Sequence, residues 1–323
     1  MRIMRSLMAV LILVPLAATV EPVHAQTKVS LVFSSGPTGG SWIPLAGATA
    51  EVIKKKYPEL DIQVEPGAAL VNMEKIRTDR AQLAWSMTNV LSDARAGKGQ
   101  WKGKQTDKPL YVASYYPNVW QLVVPVDSDI RSVKDLRGKP VALPTKGNTS
   151  LDDGWVPLLA AYGMKLEDLG AKSYGPVAEN AELMKNRQAV ANGWFTTVPA
   201  SFIRDVGASM KLRMLSYPDD IFQKMMQYNS GFVRHVIPAG TYGAQGIEGE
   251  VVTFQSPTIL IAHSSTPAEV IYKVTKAVIE ERAHFANVTA AMKGISAKEM
   301  AQDYGMPFHP GAAKYYKEVG LLK

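Results

Sequence analysis

The 323-residue chain has no cysteine. Disulfides, thiolate metal sites and cysteine nucleophiles are excluded together, and the composition fits an oxidising compartment without requiring one. Metal-ligand spacing is missing too. The five histidines, His24, His235, His263, His284 and His309, form no HExxH or comparable pattern. There is no GxSxG elbow and no nucleophile beside an evident base, so no catalytic residue is expected. Neither a Walker sequence nor a GxGxxG spacing occurs, which argues against a phosphate-bearing cofactor; no cofactor is expected. The net charge is +7, but its lysines are scattered rather than clustered with aromatics, so nucleic acid is not an expected partner.

At the N-terminus, Arg2 and Arg5 precede an apolar run from Leu7 to Ala18, and Val23-His24-Ala25 stands before Gln26. This charged segment, short apolar stretch and small-residue end read as a cleaved signal peptide over residues 1–25, not as a membrane anchor. No later stretch approaches the roughly 20 apolar residues of a membrane helix. No cysteine follows the apolar run, so lipidation there is excluded. The mature chain is expected in the periplasm, and its length suits two domains.

The stretch Val29 to Lys56 organises the rest. Val29, Leu31, Val32 and Phe33 read as a strand covered on both faces. Ser34 to Gly40 is a small-residue turn, Ser41 is placed to cap a helix, and Pro44 lies in its first turn. Lys54, Lys55 and Lys56 suit the negative helix end, and Pro58 stops it. The result is a helix N-terminus with no bulky side chain before it, open to an anion. Taken alone, the turn is better explained as strand-to-helix geometry.

Strand and helix patterns then alternate through most of the chain, which predicts an α/β fold with mainly parallel sheets. Leu110–Tyr115 and Val119–Pro125 read as two β-runs joined at Pro117-Asn118. Asp152–Tyr162 reads as a helix ended by Gly163, Gly231–Gly249 as an irregular passage, and Val251–Ala262 as a strand interrupted by Pro257. Asp152-Asp153 and Asp219-Asp220 read as helix starts rather than catalytic pairs. Residues 73–87 and 183–197 echo each other weakly and suggest two similar lobes. Ligands in such sheets sit beyond the carboxyl ends of strands. That selects Thr38, Gly39, Gly40, Ser41 and Trp42 after the first strand, and Ser86, Thr88 and Asn89 after another. From the second half it selects Gly147, Asn148, Thr149 and Ser150 in a matching loop, and Trp194, Thr196 and Thr197 at a strand end. Lys146 stands in that loop as a further charge.

Further strings resemble a family. The Thr38-Gly39-Gly40 turn before an aromatic-Pro helix, Asp135 to Lys139 (DLRGK), Ile237 to Tyr242 (IPAGTY) and Pro307 to Tyr316 (PFHPGAAKYY) are similar to those of TAXI-type solute-binding proteins of TRAP transporters. The resemblance implies a two-lobed, type II-like periplasmic binding protein that is not an enzyme. Each lobe would be a mainly parallel sheet flanked by helices, with the ligand in the interlobe cleft. On this reading residues 26–117 and 250–323 form one lobe and residues 118–249 the other, hinged at Tyr115-Tyr116-Pro117 and near Val251.

The implied partners are a small organic anion, either an oxo acid or a glutamate-like carboxylate or dicarboxylate, and a membrane-embedded TRAP permease. A monomer is expected. An ABC-importer binding protein, an exported enzyme and a sensor on the same scaffold are the alternatives. Trp42, Ile43 and Met87-Thr88-Asn89 stand where relatives carry two tyrosines and Gln-Ser-Asp. Asn89 in place of an acid removes a partner for a ligand ammonium, so an anion without an amino group is expected.

Overall fold

Runs of apolar and β-branched residues separated by small-residue turns become parallel strands here, each followed by a helix that covers the sheet. The computed structural model describes residues 28–36 and 41–323; the signal segment and Thr38, Gly39 and Gly40 lie outside them. In chain order the elements are β1 (Val29–Ser34), α1 (Trp42–Lys56), β2 (Leu60–Glu65), α2 (Ala69–Arg77), β3 (Leu83–Met87), α3 (Thr88–Ala96) and β4 (Pro109–Pro125). The second half adds β5 (Val141–Pro144), a π-turn (Ser150–Trp155) that runs into α4 (Val156–Ala161), β6 (Lys172–Gly175), α5 (Val177–Lys185), β7 (Asn192–Thr196), α6 (Ser201–Ser209), β8 (Leu212–Met214), α7 (Asp219–Tyr228) and β9 (Val233–Ile237). The chain closes with β10 (Val251–His263), α8 (Ala268–Glu280), α9 (Ala297–Met300) and α10 (Pro310–Glu318).

The strand order is β2-β1-β3-β10-β4-β7-β5-β6, with β8 beside β4 and β9 beside β10. Parallel pairing joins β2, β1 and β3 on one side and β6, β5 and β7 on the other. Two long antiparallel strands, β4 and β10, lie between these sets and belong to both. This is the α/β architecture of two-lobed periplasmic binding proteins, with helices flanking mainly parallel strands.

The sequence suggested two β-runs joined at Pro117-Asn118; the structure replaces them with the single 17-residue strand β4. Pro117 lies directly opposite Pro257 of β10, and the register shifts between Pro257 and Ile259. Neither proline has an N–H, so the pair vacates one place in the ladder and both strands continue past it. The passage expected to be irregular holds β9, which pairs with Val251–Gln255 of β10. Its Arg234 and His235 hid the β pattern. Ser41 is the residue before α1 but does not cap it with its side chain. The hydroxyl instead lies 3.2 Å from the Tyr116 hydroxyl.

The strings behind the resemblance hold the fold. Asp135 closes a capping box with Ser132. The Tyr242 hydroxyl donates to Gln121 Oε1 and accepts from the Ala200 amide, both at 2.5 Å. Gly311 lets α10 press against α8: a Cβ there would stand 2.1 Å from the Ala268 carbonyl oxygen and 2.6 Å from the Tyr272 nitrogen. Backbone on both sides cannot give way cheaply, so Gly311→Ala is expected to cost about 1–3 kcal/mol of stability by overpacking. Chemical denaturation would measure it, and an unchanged midpoint would contradict the packing argument.

Candidate functional site

Five chain segments meet at the carboxyl ends of the parallel strands and enclose a cleft of about 360 Å³. After β1 come Ser41 and Trp42, after β2 Ala68 to Val71, and at the end of β3 Met87. After β5 come Gly147 to Ser150, and from β7 Trp194 and Phe195; Tyr116 and Asn118 of β4 form the floor between the two halves. Ligands of open α/β sheets collect at such strand ends.

Local chemistry explains each wall. Trp42 folds back over the end of β1 because Gly36 has no side chain: a Cβ there would lie 2.5 Å from the Trp42 Cβ. The Trp85 indole N–H donates to the Trp42 carbonyl at 3.1 Å and fixes the first turn of α1. In the second half, Gly147 adopts φ of +80°, and Asn148 Oδ1 accepts from the Ser150 amide at 2.8 Å. Buried Ser150 in turn accepts the Phe195 amide at 3.0 Å, which ties this loop to the end of β7. The Trp194 indole N–H donates to Asn192 Oδ1 at 2.8 Å.

Asn72 sets the position of the α2 terminus. It is fully buried. Its Oδ1 accepts from the Ser34 hydroxyl at 2.8 Å and the Ala68 amide at 3.1 Å, and its Nδ2 donates to the Ser35 and Trp85 carbonyls at 2.6 and 2.7 Å. Truncation would strand several buried groups. Asn72→Ala is expected to lose at least about 1–3 kcal/mol of stability and to weaken solute binding as Ala68–Val71 loosen. Denaturation and calorimetric titration of the same variant would check both, and an unchanged denaturation midpoint would contradict the argument.

The site is neutral in side-chain charge. Among the described residues, no aspartate, glutamate, lysine, arginine or histidine lines it. Lys146 is turned away, 5.4 Å over the Tyr174 ring. Tyr116 is the single titratable group on the lining, and burial raises its hydroxyl above the ordinary range. Positive potential comes from backbone instead. The π-turn's first N–H is held by Asn148 Oδ1, whereas the first turns of α1 and α2 open on the cleft without a side-chain cap. Their leading N–H groups lack partners within the helix and carry its positive end. Walls of Trp42, Met87, Trp194 and Phe195 complete a space suited to a polar head on an apolar or aromatic body.

Of the residues selected from sequence, Ser41, Trp42, Gly147, Asn148, Thr149, Ser150 and Trp194 meet around this cleft. Ser86, Thr88, Asn89, Thr196 and Thr197 do not line it. Ser86 is buried beneath α2. The Thr88 hydroxyl donates to the Gly231 carbonyl at 2.6 Å, and the Ser256 hydroxyl donates to Asn89 Oδ1 at 2.5 Å. Asn89 is held by Ser256 and lies off the lining of this cleft. The Thr196 and Thr197 carbonyls accept from Gln121. Ala68 to Val71 and Asn118 were not legible as lining, because no local motif marks a helix start after a plain Pro-Gly turn.

Several solved structures resemble this one. XAC2383 from Xanthomonas citri bound to ATP matches with a TM-score of 0.51 and 11% identity over 90% of this chain and 96% of that one. The periplasmic aliphatic sulphonate binding protein of Escherichia coli matches at 0.47 and 16% over 83% and 80%. A binding protein component of an ABC phosphonate transporter from Pseudomonas aeruginosa matches at 0.48 and 11% over 82% and 80%. At these identities the likeness is one of fold.

The resemblance to TAXI-type proteins does not hold, and the TRAP permease falls with it as the partner. The family model that matches is described as NMT1-like, not as TAXI-type. That match runs over residues 33–320, most of the sequence, and the chain belongs to the NMT1-like family.

Proposed function

We propose that this chain is an extracytoplasmic solute-binding protein of the ABC-importer type, which holds a small organic anion in the cleft and passes it on unchanged. The observation that carries the reading is the convergence of two helix starts without side-chain caps, those of α1 and α2, on a neutral, aromatic-walled cleft. Backbone N–H groups at a helix start hold a carboxylate, sulphonate or phosphonate without a formal positive charge. An ammonium beside that head would find no carboxylate on the lining, so an acid without an α-amino group is favoured.

The proposed contacts are Ser41, Asn148, Thr149 and Ser150 for the head, with Thr38, Gly39 and Gly40 completing the first loop. Trp42, Met87 and Trp194 take the body. We take residues 26–117 and 250–323 as one lobe and residues 118–249 as the other. We place the bend between them at the facing prolines Pro117 and Pro257. Export would follow from the basic and apolar N-terminal segment. The importer's permease and ATPase are the proposed partners.

Thermal-shift screening against organic acids and their neutral amides tests the reading. A true solute at 100 times its Kd adds about 2.7 kcal/mol of stability. Stabilisation by acids well beyond that by the matching amides is expected, and the reverse pattern would overturn the assignment.

A further inference from the structure

A second cavity, of about 170 Å³, lies behind Leu70, which lines both it and the cleft. It is walled by three carboxylates and two aromatic rings: Asp93 of α3, Asp152 and Asp153 of the π-turn, Trp101, and Tyr228 of α7. Asp93 is 7% exposed, and its Oδ1 is buried without any hydrogen-bond partner. An unpartnered carboxylate oxygen inside a cavity is costly unless a positive group reaches it.

We propose that this pocket is a cation site, built for a small organic ammonium. Its volume takes a few non-hydrogen atoms, since a water occupies about 30 Å³. The three acids face one another from the two halves of the chain; burial first, and then the charge of each acid, raises the Tyr228 hydroxyl. Lys98 is the one cation acting on Asp93. It is exposed, its Nζ reaching the Tyr228 carbonyl at 3.5 Å, so charge remains for a ligand to balance. The faces of Trp101 and Tyr228 suit an alkylammonium. A metal ion suits the pocket less: among the described residues, no group of three histidine, aspartate or glutamate side chains is arranged to hold one.

Burial raises the Asp93 carboxyl to about 6. Burial first, then the Asp93 and Asp152 charges, raise Asp153 to about 7. Burial raises Asp152 as well. A bound cation reverses those costs, so it binds best where all three are ionised. The site does not depend on the solute proposed for the cleft, and its failure would leave that proposal standing.

The test is calorimetric titration of the whole protein with methylammonium chloride at fixed ionic strength, with sodium and calcium chloride as comparisons. Saturable binding of methylammonium at pH 8 is expected, at least about tenfold weaker at pH 5, with no matching response to sodium or calcium. Asp93→Asn should abolish it, and Asp152→Asn, at the more exposed acid, should weaken it while circular dichroism stays native. Absence of saturable binding at pH 8, an equal response to sodium or calcium, or full binding by folded Asp93→Asn and Asp152→Asn variants would each overturn the proposal.

Discussion

Replacing Trp120 with alanine is expected to remove about 3–5 kcal/mol of folding stability, a larger loss than at Gly311 or Asn72. Trp120 sits in β4 with no exposed surface. Its ring packs edge-on to Trp155 at 5.8 Å and to Phe195 at 5.2 Å, and stacks on Phe254 at 5.7 Å. Its indole N–H donates to the Tyr217 hydroxyl at 2.9 Å. Two glycines make room for it: a Cβ on Gly154 or Gly193 would stand 2.3 or 2.9 Å from ring atoms. Alanine would therefore leave a cavity among rigid rings and a buried hydroxyl without its donor, and the surroundings cannot collapse into the space. Because Phe195 forms part of the cleft wall, solute binding should weaken in the same variant. Trp120→Phe should fall between, keeping most of the contact but losing the hydrogen bond. Urea denaturation would read both, and a loss below about 1 kcal/mol for alanine would contradict this account of the core.

Asp93→Asn should act in the opposite direction and stabilise the protein at pH 8 by about 1–3 kcal/mol. The sign follows from linkage. Asp93 titrates near 4 when unfolded and is raised by burial to about 6 in the fold. Between those values the native state holds the proton more tightly, so stability falls as pH rises from about 4 through about 6 and levels off above. A tenfold difference in proton affinity between the two states corresponds to about 1.4 kcal/mol. Asparagine carries no charge and escapes the loss, so the gain should be small at pH 4 and full at pH 8. Thermal unfolding across that range would check it. A gain independent of pH, or a loss at pH 8, would show that the carboxylate is already neutralised in the fold.

The sequence revealed the architecture better than the lining. Alternating strand and helix patterns with small-residue turns set the α/β class, because that periodicity is local. The continuity of β4 was hidden, because Pro117 looks like a turn until Pro257 is seen opposite it. At the cleft, the Gly147–Ser150 loop was visible from its composition, whereas Ala68 to Val71 are ordinary residues made important by the buried amide of Asn72. Thr88 and Asn89 looked like ligands because they follow a strand, yet they lie one layer behind it and tie α3 to Gly231 and Ser256. The strings that suggested TRAP relatives were distinctive for packing reasons. Gly311 and Tyr242 serve contacts inside the fold, which do not specify a transporter partner. Asp152 and Asp153 read as a helix start, and only the fold sets Asp93 against them.

The central claim is that backbone N–H groups at helix starts, with no basic side chain, hold the charge of an organic anion between Trp42 and Trp194. Calorimetric titration of the best-binding acid from a screen against its neutral amide tests it most directly. Hydrogen bonds to a charged group contribute about 1.5–3 kcal/mol, so the amide should bind about 10- to 100-fold more weakly. Equal affinity for acid and amide would contradict the claim.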